Sequence, residues 1–75
     1  MKSYQYRSPL GVFIIKSQAN GRWGLWLNDE LLGSYHSSVA AADDVFMQAT
    51  GDYDWDTLND IDIPTDVYEW DVVKR

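Results

Sequence analysis

Two tight-turn signals bracket residues 22–27 and leave this part of the chain little freedom. Asn20-Gly21 suits a hairpin turn that needs positive φ, and Asn28-Asp29 offers a second tight turn at the other end. Before the first turn, Val12-Phe13-Ile14-Ile15-Lys16 is rich in β-branched and aromatic residues. Between the turns, Arg22-Trp23-Gly24-Leu25-Trp26-Leu27 alternates. Trp23, Leu25 and Leu27 share one face, and Arg22, Gly24 and Trp26 share the other. After the second turn, Glu30-Leu31-Leu32-Gly33-Ser34-Tyr35 reads as a third strand with Leu31, Gly33 and Tyr35 on one side. Turns this short join neighbouring antiparallel strands, so the first half is expected to be a three-stranded meander.

Ser37-Ser38 then offers an N-cap. Val39, Ala42, Val45, Phe46 and Ala49 follow at helical spacing as one apolar stripe, with Asp43, Asp44 and Gln48 opposite. Thr50-Gly51 supplies the glycine expected beyond a helix C-terminus. Small residues at 40–42 would let this helix lie close against the face bearing Trp23, Leu25 and Leu27. In the last third, Trp55-Asp56-Thr57-Leu58 suits a single helical turn, and Pro64 rules out a regular helix running through from Asn59. Tyr68, Trp70 and Val72 alternate with Glu69 and Asp71 as a strand would, and a short helix capped by Thr65 or Asp66 competes for the same residues. The fold class expected is α+β: a three-stranded antiparallel meander packed by one main helix, with an acidic C-terminal segment adding a further strand or short helix.

Charge divides the 75 residues in two. Residues 1–36 hold four cations against Asp29 and Glu30, whereas residues 37–75 hold ten acids against Lys74 and Arg75. Asp52, Asp54, Asp56, Asp60, Asp62, Asp66, Glu69 and Asp71 fall in one stretch with Tyr53, Trp55, Tyr68 and Trp70. Disordered acidic tails are poor in aromatic residues, so this segment is expected to be folded surface. A chain of this length makes one domain, residues 1–75, and buries only roughly 60% of its unfolded surface, which leaves little core to spare for a deep catalytic cavity. The absence of Cys removes disulfides, thiolate metal ligands and Cys nucleophiles, and fits a reducing, cytoplasmic compartment. No apolar run approaches membrane-spanning length, and Met1-Lys2-Ser3-Tyr4-Gln5-Tyr6 lacks the apolar stretch of a signal peptide.

The catalytic inventory is thin. His36 is the sole histidine, and although Ser34, Ser37 and Ser38 are close in sequence, neighbours this near point in different directions and no oxyanion-hole motif accompanies them. Asp52-Tyr53-Asp54-Trp55-Asp56 spaces carboxylates as an EF-hand loop does at its first, third and fifth places, with Asp60 at the ninth. Thr57 stands where the loop needs glycine, and Ile63 where it needs a bidentate Glu. The expectation is therefore no enzyme, no metal and no cofactor.

Tyr6-Arg7, Gly21-Arg22-Trp23, Gly33-Ser34-Tyr35 and Ala41-Ala42 together resemble the AP2 DNA-binding domain over about residues 6–50. That resemblance implies a three-stranded sheet backed by a helix, with Arg7, Lys16, Arg22 and Trp26 facing the major groove of DNA. A net charge of −6 instead favours a basic protein surface as the partner. In size, acidity and lack of Cys, the chain is similar to phage-encoded DNA-mimic and anti-CRISPR inhibitors. On that reading Asp52, Asp54, Asp56, Asp60, Asp62, Asp66, Glu69 and Asp71 occupy a positive surface in the manner of phosphates. Trp55, with Tyr53, Tyr68 and Trp70, would supply anchors, or alternatively Trp23, Trp55 and Trp70 close the core. Trp26 marks an interface if Tyr68 and Trp70 leave its face open, and a homodimer through that face is the further option.

Overall fold

The computed structural model describes residues 2–74. Among them five strands, rather than the three expected, form one antiparallel sheet in the order β4-β3-β2-β1-β5. The strands are β1 (Lys2–Ser8), β2 (Gly11–Ser17), β3 (Trp23–Leu27), β4 (Glu30–Tyr35) and β5 (Asp71–Lys74). The meander of β2, β3 and β4 is the part that the turn signals demand. Asn28 and Asp29 both adopt positive φ, at 50° and 70°, the backbone that a two-residue hairpin needs to match strand twist, and the longer β2–β3 connection through residues 18–22 turns on Gly21 at φ 80°. The two added strands flank one another: β1 pairs with β2 through Ser8–Gly11, and β5 returns from the far end of the chain to pair with β1, Tyr4 opposite Val72.

Strand parity sorts the side chains into two faces. Tyr4, Tyr6, Phe13, Ile15, Leu25, Leu27 and Tyr35 point to one side, in register across the sheet. Gln5, Arg7, Val12, Ile14, Lys16, Gly24, Trp26 and Ser34 point to the other. A register shift between Leu25 and Trp26 puts Leu31 opposite Trp26 while Gly33 and Tyr35 stay on the inner side, so Leu31 departs from the face it was expected to share.

All remaining structure lies over the inner face. Helix α1 (Ser38–Phe46) is capped by Ser37, whose hydroxyl accepts from the Ala40 amide at 3.0 Å. It buries Ala41, Ala42 and Val45 against Phe13, Ile15, Leu25 and Leu27, the face it was expected to cover. The apolar stripe is rotated from the expected one: Val39, Phe46 and Ala49 are exposed. The helix also stops before Thr50-Gly51, because Gln48 turns into the left-handed region at φ 54°. Its amide then points inward and donates to the Trp55 and Leu58 carbonyls at 2.8 and 2.7 Å, tying α1 to the single-turn helix α2 (Tyr53–Asp56). Leu58, Ile61 and Ile63 pack onto the core from the following loop. A 3-10 turn at Val67–Glu69 then leads into β5, so the two readings weighed for this segment occur in succession.

Trp55 and Trp70 close the core around Phe13. Trp55 meets the Phe13 ring edge-on at 4.7 Å, and Tyr6 stacks on Phe13 and lies 5.5 Å from Trp70. The Trp55 indole donates to the Val45 carbonyl at 3.0 Å, whereas the buried Trp70 Nε1 has no acceptor among the described residues. No helix among those residues is long and apolar enough to cross a membrane.

Candidate functional site

The topology converts a division along the sequence into a division across the molecule. The first half of the chain supplies four of the five strands, and residues 37–70, which hold nine acids and no cation, form the layer over one sheet face. On the opposite face stand Arg7, Lys16 and Arg22. Lys16 Nζ sits 4.9 Å from the centroid of Trp26, and Arg22 donates to the hydroxyl and carbonyl of Ser34 at 2.9 and 2.8 Å.

Within the acidic layer the carboxylates do two different things. Some hold the backbone. Asp52 caps α2 by accepting from the Trp55 amide at 3.2 Å, and Asp66 caps the 3-10 turn by accepting from the Tyr68 amide at 2.8 Å. Asp56 accepts three bonds: Oδ1 from the Thr50 amide and hydroxyl at 3.0 and 2.8 Å, and Oδ2 from the Gly51 amide at 2.9 Å. Glu69 reaches back to accept from the Thr65 hydroxyl at 2.7 Å and amide at 3.3 Å, one residue ahead of the Asp66 cap. Asp44, outside the expected set, accepts from the Tyr35 phenol at 2.8 Å. Burial, that hydrogen bond and the negative charges of Asp44 and Asp56 all raise the Tyr35 pKa well above its usual value.

Every donor in this group is a neutral amide or hydroxyl. These bonds fix the side chains in place without a cationic partner among the described residues, so the group keeps its net negative charge, with Asp66 and Glu69 exposed and Asp44, Asp52 and Asp56 half-buried. The second group, Asp54, Asp60 and Asp62, is exposed. Asp62 contributes its backbone carbonyl, which accepts from the Tyr6 phenol at 3.1 Å. Burial, and then the Asp62 charge, raises the Tyr6 pKa.

Asp54 and Asp52 also line an open cleft of about 200 Å³ with Leu10, Leu27, Asn28 and Glu30. Glu30 enters this acidic surface from β4 and was not foreseen, because its neighbours in the cleft come from a segment more than twenty residues away. Its rim is set by Asn28, whose side chain accepts from the Val12 amide at 3.1 Å and donates to the Leu10 carbonyl at 2.9 Å. Gly11 is required here: its φ is 137°, and a Cβ would overlap the Asn28 carboxamide.

Two members of the expected partner-binding set fall outside the surface. Trp55 is 0% exposed and therefore serves the core, not a partner. Asp71 pairs with Gln5 in the β1–β5 register, which puts its side chain on the opposite sheet face, away from the acidic layer. Of the four aromatics considered as anchors, Trp70 is buried as well, and Tyr53 and Tyr68 remain on the surface at 78% and 84% exposure. Trp23 is half-buried against Tyr4.

His36 is exposed, and two of its serine neighbours are engaged elsewhere: Ser37 caps α1, and Ser34 donates to Gln18 at 2.8 Å. Among the described residues no three His, Cys, Asp or Glu side chains are grouped to hold a metal ion. Together the fold and its surface define an α+β sheet-and-helix domain with an acidic layer on one side of the sheet and Arg7, Lys16 and Arg22, beside Asp71, on the other. No family model, curated protein or solved structure matches the chain.

Proposed function

We propose that this chain is a non-catalytic protein-binding module whose acidic layer occupies a basic surface on a nucleic-acid-binding partner, as a DNA-mimic or anti-CRISPR inhibitor would. The observation that carries the proposal is the neutral anchoring of the carboxylates. Asp52, Asp56, Asp66 and Glu69 are held by amides and hydroxyls, so the layer presents fixed negative charges much as a phosphate backbone does. Asp54, Asp60 and Asp62 extend the charge outward without serving the backbone through their side chains, and Tyr53 and Tyr68 supply exposed rings among them.

The test is capture from nuclease-treated lysate by the full chain and by the Asp54→Asn/Asp60→Asn/Asp62→Asn variant. Retention of a basic nucleic-acid-binding protein by the wild type, lost in the variant and weakened by salt, supports the reading. Equal retention by both contradicts it.

The AP2-like alternative rests on one observation, that Arg7, Lys16, Arg22 and Trp26 share a sheet face. Three cations on a molecule of net charge −6 support only a shallow salt dependence of duplex binding, with a log–log slope near −3. A duplex mobility shift abolished by Arg22→Ala would favour this reading.

A further inference from the structure

Helix α1 is apolar on two sides, and only one of them is covered by its own sheet. Ala41, Ala42 and Val45 face inward, while Val39, Phe46 and Met47 are 52%, 39% and 66% exposed. Val39, Asp43, Phe46 and Met47 follow the i, i+4, i+7, i+8 spacing of a single outward stripe. The sheet has the converse property. Its inner face carries the layer, and its outer face carries Val12, Ile14, Trp26 and Leu31, with Leu31 49% exposed. Trp26 is held flat there, lying back over Gly24 and under the Lys16 ammonium, so the outer face presents an apolar surface bordered by Arg7, Lys16 and Arg22, with Asp71 at its β5 edge.

We infer that a second copy of this chain covers the outer sheet face, seating the outward stripe of its α1 on Val12, Ile14, Trp26 and Leu31. Charge selects this arrangement over the symmetric ones. Two sheet faces together would oppose Arg7, Lys16 and Arg22 with themselves, and two acidic layers would oppose nine carboxylates with nine. Placing α1 on the sheet brings Asp43 and the acidic layer to the cations and pairs apolar surface with apolar surface. The contact repeats between molecules the helix-on-sheet packing already present within one. It is heterologous, because each copy keeps a free sheet face at one end and a free helix stripe at the other. It engages the α1 edge of the acidic layer, and Leu31, Val39 and Met47 are not among the carboxylates and rings assigned above to a basic partner, so its test reads separately from that one.

The experiment is sedimentation velocity of the full chain across concentration and salt, with two variants confirmed as folded by circular dichroism. Leu31→Asp removes the sheet side, and Val39→Glu/Met47→Glu removes the helix side. The wild type is expected to grow beyond a dimer with concentration and to shrink with salt. Each variant alone is expected to stop at a monomer, and an equimolar mixture to give a dimer, because each supplies the surface the other lacks. A wild type that stays monomeric at every concentration overturns the proposal, as does a mixture that stays monomeric. A dimer that survives the helix-side changes and is lost with Leu31→Asp would place two sheet faces together and also overturn it. So would a monomer whose sheet face binds duplex DNA.

Discussion

Asp56→Asn is the substitution in which structure and charge separate most sharply. Asp56 Oδ1 serves Thr50 twice and Oδ2 serves the Gly51 amide. An asparagine that keeps its oxygen toward Thr50 must turn its amide onto the Gly51 N–H, setting donor against donor, and the flipped rotamer sets the amide against Thr50 instead. Either way one charge-assisted bond is lost, worth roughly 1.5–3 kcal/mol. Because Asp56 is half-buried, the lower end applies, and the expected loss is about 2 kcal/mol. At about 4–8 °C per kcal/mol for a domain of this size, Tm falls by roughly 8–16 °C. The assay is urea and thermal unfolding read by tryptophan fluorescence, with Asp54→Asn as control. Asp54 carries the same charge without these bonds, so its variant should stay within about 0.5 kcal/mol of wild type. Equal stability of the two variants would refute the assignment of Asp56 as a backbone brace. It follows that Asp52 and Asp56 are poor choices for probing partner binding, and Asp54, Asp60 and Asp62 are the informative ones.

The same replacement at two buried tryptophans should give unequal results. Trp55→Phe loses the bond to the Val45 carbonyl, whereas Trp70→Phe removes a buried donor that has no acceptor among the described residues. Trp55→Phe is expected to be the more destabilising by about 1–2 kcal/mol in urea unfolding. Gly24→Ala would drive a methyl into the Trp26 indole. The overpacking penalty of about 1–3 kcal/mol exceeds the roughly 0.5–1 kcal/mol gained from a stiffer unfolded chain, so the variant should be less stable, with a more exposed Trp26. Tyr35 has its pKa raised above 10.0 by burial and by Asp44. Its contribution to stability is therefore complete below pH 10 and is lost as pH rises through the elevated folded value. Tyrosinate absorbance should show Tyr35 and Tyr6 both ionising above the usual range in the wild type, and only Tyr6 doing so in Tyr35→Phe.

The meander was legible because short connections, Asn28-Asp29 and the loop through Asn20-Gly21, impose neighbouring antiparallel strands regardless of the rest of the chain. β1 carries a weak signal of its own: Tyr4 and Tyr6 alternate with Ser3, Gln5 and Arg7. A Tyr-based alternation is weaker than one of Val and Ile, and Pro9 breaks the segment from β2. β5 pairs with β1 across nearly the whole chain, a contact that no local pattern encodes. For α1 the helix was evident and its phase was not, because apolar residues lie on both sides of it. At the candidate site, the acidity of the segment was plain from sequence. Which acids act as caps was not, since Asp56 serves Thr50 and Gly51 through a turn whose geometry depends on Gln48. The removal of Trp55 and Asp71 from the surface likewise follows from tertiary register, which sequence parity within one strand does not determine.

The central claim is that the acidic layer takes the place of nucleic acid on a partner. Its most direct test is competition: the wild-type chain is immobilised and loaded from nuclease-treated lysate, then washed with duplex DNA or with an uncharged polymer at equal ionic strength. Release of the retained protein by DNA and not by the polymer is the predicted result. A retained protein that stays bound while it also binds the DNA would contradict the account, because the two would then occupy different surfaces.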